Sequence, residues 1–428
     1  MSVPRKATPM SSSAKPGINR RILGIFAVMG PGIAVAATGV GAGDMIASTN
    51  AGATFGTIML WTAVYGAILK YVLTEGVARW QLATGTTLLE GWVERLGRWV
   101  QYVFLIYLIL WSFIVGGGLL SACGLAGNAI FPSISVGAWG VIHSLAGAGL
   151  VMLGRYSLFE KAMKVLIGLM FVSFLMSAYA LSPSIPEIVA GITWPSVPLG
   201  SVPTVLSVLG GVGGSLTVLC YGYWIREAGR EGPKWMSGIR IDVGTAYLLT
   251  GFFGVAVMIL GAQLKPEAAG GANIVLAMAD RLELALGPIG RWSLYLGFWA
   301  AVITSVLGVW QGIPYMFADF VALVKRMNPE ERAELVRPNS RYYRAFLLFL
   351  TFPPMLLLLV DRPVAIVLLY TIVGALFMPF LAATLLYMNS KEKWVGSLKN
   401  GMITNGLLIL ALVLFLYLSV SQIYRMLG

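Results

Sequence analysis

A single acidic residue follows a glycine-rich run near the amino terminus of this chain. The run is Gly30-Pro31-Gly32-Ile33-Ala34-Val35-Ala36-Ala37-Thr38-Gly39-Val40-Gly41-Ala42-Gly43-Asp44. Glycine within a helix costs about 1 kcal/mol relative to alanine, so the three alternate glycines Gly39, Gly41 and Gly43 predict a break in the helix. A charged side chain at the centre of a bilayer costs at least about 2.5–3.5 kcal/mol. A break beside a carboxylate, in an otherwise apolar segment, is typical of a substrate or ion site.

The depth of Asp44 in a membrane depends on where its span begins. A span that begins at Arg21 places Asp44 about 33 Å along the helix, where it would cap the far end in water. A span from Pro31 to Gly56 places Asp44 about 20 Å from the start, near the middle of the bilayer. The absence of charged residues between Met45 and Phe55 favours the second placement.

A second glycine-rich run lies between Val208 and Tyr223. It carries four glycines within five positions, followed by small polar side chains: Gly210, Gly211, Gly213, Gly214, Ser215 and Thr217. Paired glycine-interrupted spans in corresponding positions of two halves indicate a transporter with inverted repeats. The alternative is close helix packing through small residues. The two runs occupy the same place in each predicted half, which favours two broken helices.

The composition places both runs in a membrane protein. Of the 428 residues, 58% are hydrophobic and 11% are charged, whereas a soluble domain carries about 25% charged residues. Uncharged stretches that exceed the roughly 20 residues of a membrane span predict eleven spans, near residues 30–55, 57–80, 99–122, 136–154, 162–182, 204–225, 241–264, 290–322, 344–361, 363–388 and 401–424. We therefore predict an all-α, polytopic protein whose surroundings are a lipid bilayer.

The net charge of +12 is explained by membrane topology. Basic residues precede the first predicted span and follow the second, fourth, sixth, eighth and tenth, so they share the cytoplasmic side if the amino terminus is cytoplasmic. The loop 182–203, on the opposite side, contains no lysine or arginine. We expect a multi-pass protein of the cell or inner membrane with a cytoplasmic amino terminus, and no nucleic-acid partner.

Other chemically active residues within the predicted spans are few. Lys70 lies in the second span, where it either snorkels towards the interface or serves as a counter-ion for Asp44. Cys123 and Cys220 are predicted to be buried structural thiols. One histidine and two separated cysteines leave little for hydrolytic chemistry, and no metalloprotease or phosphate-loop spacing is present. We expect neither an enzyme nor a cofactor.

Several short motifs resemble those of the Nramp divalent-metal transporters and occur in the family's order. The first span ends in Gly52-Ala53-Thr54-Phe55-Gly56, Ala83-Thr84-Gly85 follows the second, Leu158-Phe159-Glu160-Lys161 leads into the fifth, and Met378-Pro379-Phe380 lies in the tenth. The resemblance covers most of the chain and implies a LeuT-type fold with five plus five spans in inverted repeats. The implied organisation is a cytoplasmic tail (1–21) and a transporter domain (22–428), with repeats at 22–182 and 204–388 and an eleventh helix at 401–424.

The sequence departs from the family's pattern where the metal site is expected. The family's Asp-Pro-Gly-Asn in span one corresponds here to Gly41-Ala42-Gly43-Asp44, and its Met-Pro-His in span six corresponds to Thr217-Val218-Leu219. Val115-Gly116-Gly117-Gly118 replaces the acidic residues of span three, and Phe377 replaces the glutamine of span ten. Because the thioether, the histidine and these acids are missing, coupling of transport to protons stays open.

We predict a secondary transporter that moves a divalent metal cation, Mg-like or Mn-like, by alternating access around spans one and six. Asp44 and Thr217 are the predicted metal ligands, and the wider cation site is predicted to comprise Thr38, Val40, Gly41 and Ser215 as well. The alternative is a LeuT-type transporter of an amino acid or a small organic amine, whose larger pocket Tyr221 would line. A cavity much larger than a hydrated ion would favour this alternative. In either case we expect a monomer.

Overall fold

The computed structural model describes residues 41–153 and 184–427, together with Gly32 and isolated positions between 165 and 180. The predicted tail (1–21), residues 33–40 of span one and about half of the fifth span (162–182) lie outside these residues. The described chain is helical and contains no strand. Eight of its helical stretches are long and apolar enough to cross a membrane, which agrees with the predicted polytopic membrane protein. The count of eleven spans stays a prediction.

The helices are numbered here in chain order. The first nine are α1 (Ala42–Phe55), α2 (Leu60–Thr84), α3 (Leu88–Arg95), α4 (Arg98–Ile130), α5 (Val136–Met152), α6 (Ile185–Thr193), α7 (Val202–Gly211), α8 (Cys220–Glu227) and α9 (Met236–Gly261). The others are α10 (Pro266–Gly270), α11 (Ile274–Leu286), α12 (Pro288–Val324), α13 (Pro329–Leu335), α14 (Arg341–Thr351), α15 (Pro363–Ala375), α16 (Met378–Asn389), α17 (Glu392–Val395) and α18 (Met402–Leu427). Single 3₁₀ segments join several of them, including Gly56–Met59, Leu216–Leu219 and Pro353–Val360.

Helix α2 runs antiparallel to α9 along a seam of small residues. A Cβ placed on Gly254 would lie 3.0 Å from the Cβ of Ala63, and one placed on Gly251 would lie 3.3 Å from the Cβ of Ala67. The residue numbers of the contacting positions increase along α2 as they decrease along α9, so the two helices point in opposite directions. Small side chains at such positions allow backbones to approach closely.

Helix α1 runs parallel to α9. Gly254 also faces Ser48 of α1, and Gly261 at the end of α9 packs against the backbone of Thr49. Since α1 and α2 have opposite directions relative to the same helix, the chain reverses between them. Gly56, with φ of 67°, begins this turn because only glycine adopts that backbone conformation without strain.

One end of the bundle holds the linked ion pairs of Arg332 with Glu90 and Asp319, and we call it the charged end. Arg332 of α13 donates to both carboxylate oxygens of Asp319 at 2.5 and 3.0 Å and to Glu90 at 2.7 Å. Burial acts to lower the pKa of Arg332, but its hydrogen bonds and charge pairing with Asp319 and Glu90 together outweigh burial and raise the pKa above the usual value. Arg79 donates to the carbonyl of Leu398 at 2.7 Å. Loops that follow the second, eighth and tenth predicted spans therefore lie together, as the distribution of basic residues predicts.

Two smaller predictions concern cysteines and the ninth span. Cys123 and Cys220 are both buried free thiols, as predicted. The ninth predicted span (344–361) is a composite, because α14 ends at Thr351 and a 3₁₀ segment continues from Pro353. Two consecutive prolines cannot supply the backbone donors that an α-helix needs at this point.

The seam between α1 and α9 gives the first testable prediction. A Cβ on Gly52 would lie 2.2 Å from the carbonyl oxygen of Met258, so Gly52→Ala should destabilise the fold by about 1–3 kcal/mol through overpacking. Gly137→Ala is the matched control, because nothing lies within 4 Å of a Cβ at that helical position. Thermal unfolding in detergent should show a lower melting temperature for Gly52→Ala alone. Equal melting temperatures for the two variants would contradict the packing described here.

Candidate cation site

Asp44 lies in the first turn of α1 and is 1% exposed. The amide of Met45 donates to the carbonyl of Gly41 at 3.1 Å, which is the first turn of this helix. The helix amino terminus carries a partial positive charge that stabilises a carboxylate in the first turn. Thr38, Gly39 and Val40, which precede the helix, lie outside the described residues.

The sixth predicted span is divided into two short helices. Helix α7 ends at Gly211 and α8 begins at Cys220, with a 3₁₀ segment between them. Gly213 and Gly214 have φ of 68° and 79°, the left-handed region that favours glycine. The backbone is therefore not α-helical between these two helices, and we call residues 212–219 the interruption in span six.

The start of α1 and the end of α7 lie in direct contact. A Cβ on Gly211 would lie 3.2 Å from the carbonyl carbon of Gly43, and a Cβ on Gly43 would lie 2.4 Å from the hydroxyl of Tyr370. The absence of a side chain at Gly43 admits Tyr370 of α15, and the absence of one at Gly211 allows the two segments to approach. Asp44 is consequently one residue from the contact between them.

The carboxylate of Asp44 has no hydrogen-bond partner in the part of the chain that the structure describes. The backbone amides of Gly41 and Gly213 lie near the carboxylate, although neither meets hydrogen-bond geometry. Burying a charged group is unfavourable unless it is paired or coordinates a metal. Asp44 is therefore a buried acceptor whose lone pairs accept no hydrogen bond from the described residues.

Lys70 of α2 is fully buried beside the interruption in span six. Its ammonium donates to the carbonyl of Gly210 at 3.3 Å and also to the carbonyl of Gly214. It interacts electrostatically with Asp44, but no hydrogen bond joins the two side chains. Lys70 does not snorkel to the interface, and its role as a counter-ion stays a prediction.

A small cavity of about 30 Å³ lies against the interruption in span six. It brings together Ser215 and Thr217, two predicted site residues, with Gly210, Gly211 and Gly214. Its remaining lining residues are Trp111, Val115, Leu119, Ser305, Val309 and Tyr370. Asp44 follows Gly43, which contacts Gly211 next to the interruption. Asp44 itself is not among the residues that line this cavity.

Tyr221 is directed elsewhere. Its hydroxyl donates to Asp242 Oδ2 at 3.0 Å, and the same oxygen accepts the amide of Gly32 at 2.8 Å and Arg230 Nη1 at 3.4 Å. These contacts connect the beginning of span one to α8 and α9. They give Tyr221 a structural partner away from the small cavity.

A second cavity, of about 1370 Å³, opens at the charged end. Its lining includes Glu90, Arg226, Asp319 and Arg332, and it shares no residue with the small cavity. These four charged side chains are already paired, because Arg332 pairs with Glu90 and Asp319 and Arg226 also pairs with Asp319. The larger cavity is therefore separate from the interruption and from Asp44.

The donor atoms around the interruption are oxygens. No group of three or more histidine, cysteine, aspartate or glutamate side chains occurs among the described residues. His143 is occupied, because its Nδ1 lies 2.8 Å from the carbonyl of Trp139 and its Nε2 accepts the indole N–H of Trp299 at 2.9 Å. One carboxylate, hydroxyls and backbone carbonyls remain, and these suit hard cations such as Mg²⁺, Ca²⁺ and Mn²⁺.

Sequence reasoning did not identify the side chains that hold the interruption in place. The indole of Trp111 donates to Ser215 Oγ at 2.8 Å, and the hydroxyl of Tyr247 donates to the carbonyl of Gly213 at 3.3 Å. Thr74 in turn hydrogen-bonds to Tyr247 at 2.7 Å. The only sequence signal for this role is that Trp111 and Tyr247 are polar aromatic residues inside predicted spans. Their hydrogen-bond partners depend on which spans pack together.

The fold defines the class: an integral, multi-pass membrane protein of the LeuT-type architecture. A model of the family described as "Natural resistance-associated macrophage protein-like", Nramp, matches residues 32–425. The chain belongs to the Nramp family, as the motifs predict. Members of this family are transporters rather than enzymes, in agreement with the sequence analysis.

The following relative and solved structures are 25% or less identical to this chain. The "Divalent metal cation transporter MntH" of Erwinia tasmaniensis is 25% identical over 265 residues, which span 56% of this chain and 59% of that protein. The manganese transporter of Eremococcus coleocola, bound to an aromatic bis-isothiourea substituted compound, is similar at a TM-score of 0.73 and 16% identity, over 95% of this chain and 87% of that one. MhsT in complex with L-phenylalanine gives a TM-score of 0.51 at 17% identity, over 90% and 98%. At these identities the two structures show the fold alone.

The left-handed backbone of the interruption gives a second prediction. Gly213→Ala should cost about 1–2 kcal/mol for the conformation of the backbone and a further 1–3 kcal/mol, roughly, for overpacking, because its Cβ would lie 2.3 Å from Tyr247 Cε1. Gly200→Ala is the control, since Gly200 has φ of 84° but nothing within 4 Å of a Cβ. Thermal unfolding should rank wild type above Gly200→Ala and Gly200→Ala above Gly213→Ala. A Gly213→Ala variant as stable as Gly200→Ala would contradict the contact with Tyr247.

Proposed function

We propose that this protein is a secondary transporter of a divalent metal cation, with Asp44 as the anionic ligand. The observation that carries the proposal is the carboxylate of Asp44, which is buried, lies beside the interruption in span six and has no hydrogen-bond partner among the described residues. A cation that binds at the interruption would give the Asp44 carboxylate the partner that the described residues do not provide. The names of the MntH relative and of the manganese transporter support a metal as cargo.

The size of the small cavity favours an ion over an organic substrate. Its volume of about 30 Å³ is close to the share of one water molecule in the liquid, whereas pockets for organic ligands usually measure about 300–1,000 Å³. An amino acid or organic amine would require the surrounding helices to separate. The cavity that the described residues form at the interruption is therefore too small for an amino acid.

The chemistry of the donors favours a hard or partly hydrated cation. Ser215 and Thr217 offer hydroxyl oxygens at the small cavity, and the interruption offers carbonyls. Soft sulfur ligands select softer transition metals, whereas carboxylate, carbonyl and water suit Mg²⁺ and Mn²⁺. Mg²⁺ usually keeps several waters and needs only one or two carboxylates. We therefore propose an Mg-like or Mn-like cargo bound by Asp44 and Thr217.

The proposed mechanism is alternating access around the two interrupted spans, with a cytoplasmic amino terminus. The collection of basic loops at the charged end supports that orientation through the positive-inside rule. Asp44 is the residue that would carry any exchanged proton, since Asp242 accepts from Arg230 and Asp319 accepts from Arg332. The proposal includes a monomeric transporter unit.

The third prediction tests the anionic ligand. Calorimetric titration of the purified full-length protein with Mn²⁺ and with Mg²⁺ should give heat for at least one of the two ions. Asp44→Asn preserves the shape of the side chain and removes its charge, so it should abolish that heat. Asp361→Asn is the matched control, because Asp361 is exposed in a turn with φ of 51°, a conformation that asparagine also adopts.

Two outcomes of this titration would contradict the proposal. Metal heat that persists unchanged in Asp44→Asn would place the cation elsewhere in the protein. No metal heat in the wild type, together with uptake of amino acids or polyamines into liposomes that contain it, would favour the organic substrate instead.

A further inference from the structure

The ammonium of Lys70 occupies two carbonyls that the interruption in span six releases. In a continuous helix the carbonyl of Gly210 would accept the amide of Gly214, and the carbonyl of Gly214 would accept the amide of Val218. Instead, the amide of Gly214 donates to Gly211 at 3.0 Å and the amide of Val218 donates to Ser215 at 3.1 Å. Lys70 donates to both of the carbonyls left without a helical partner.

These two carbonyls belong to the part of the chain where a cation is expected. Gly210 and Gly214 both line the small cavity, on the same segment as Ser215 and Thr217. Carbonyls of an unwound span are typical ligands for transported cations. Lys70 is therefore a covalently attached cation at a position suited to a free one.

The charges of the site balance when Lys70 is in place. With Asp44 ionised and Lys70 protonated, the charges of these two fully buried side chains sum to zero. A divalent cation added to this neutral pair would leave two uncompensated positive charges in a region of low dielectric constant, where repulsion between like charges is strong. Binding of the metal and retention of Lys70 at the carbonyls oppose each other.

We propose that Lys70 is a tethered competitor of the transported cation. It holds the carbonyls of Gly210 and Gly214 while the site is empty, and a divalent cation displaces it on binding. This inference rests on the proposed function and adds the residue that sets the site's affinity for divalent cations. A purely structural role of Lys70, as a brace for the interruption, makes the opposite prediction for affinity, since loss of the brace would loosen the site.

The fourth prediction compares calorimetric titrations with Mn²⁺ and Mg²⁺ on purified full-length variants. Lys70→Gln keeps an N–H donor for the carbonyls and removes the charge, so it should tighten binding of the divalent cation at least ~10-fold. Lys70→Arg keeps the charge and should bind no more tightly than the wild type. Lys399→Gln removes the same charge from a side chain that is 51% exposed and should match the wild type.

The outcomes distinguish this inference from the proposed function. Metal binding that appears only in Lys70→Gln would also support competition. Unchanged or weaker binding by Lys70→Gln would overturn it, while loss of binding in Asp44→Asn would still support the metal site. Absence of metal binding in both wild type and Lys70→Gln would overturn the proposed function and this inference together. If Lys70→Gln does not fold, Lys70→Ser replaces it, because its smaller side chain admits water to the carbonyls. Lys70→Ser should likewise bind the divalent cation more tightly than the wild type.

Discussion

Backbone carbonyls without helical donors, inside an apolar bundle, are the constraint on which the rest of this structure depends. Interrupting a span releases polar groups that water cannot reach, and each must find another partner. Lys70 takes two of these carbonyls and Tyr247 takes a third. Thr74 orients Tyr247 from the same helix as Lys70. Helix α2 thus supplies much of the chemistry that allows span six to remain interrupted.

The same constraint accounts for the setting of Asp44. Its carboxylate lies in the first turn of a helix, next to the contact between Gly43 and Gly211, and it accepts no hydrogen bond from the described residues. By contrast, Asp242 and Asp319 are buried acids with arginine and tyrosine partners. Asp242 and Asp319 therefore join helices, whereas Asp44 accepts no hydrogen bond from the described residues. The Nramp fold is retained at 16% identity to the manganese transporter, so the backbone arrangement tolerates extensive change in the side chains.

Much of the fold follows from the sequence, because its physical signals are local. Long uncharged stretches predict spans, and Gly213 and Gly214 have the positive φ angles that only clustered glycines allow without strain. The depth of Asp44 was ambiguous, since it depends on where span one begins, and residues 33–40 lie outside the described chain. The partners of Lys70 and Tyr221 could not be predicted either, because they depend on which spans pack together. The assignment of Asp44, Ser215 and Thr217 as ligands stays a prediction that the geometry supports.

The central claim is that a divalent cation binds at the interruption through Asp44. Anomalous diffraction from crystals of the protein soaked in Mn²⁺, recorded at the manganese absorption edge, tests this claim most directly. If Asp44 is the ligand, we expect one strong peak within coordination distance of its carboxylate and of an oxygen from the interrupted span six. A strong peak confined to the charged end, with none beside Asp44, would contradict it.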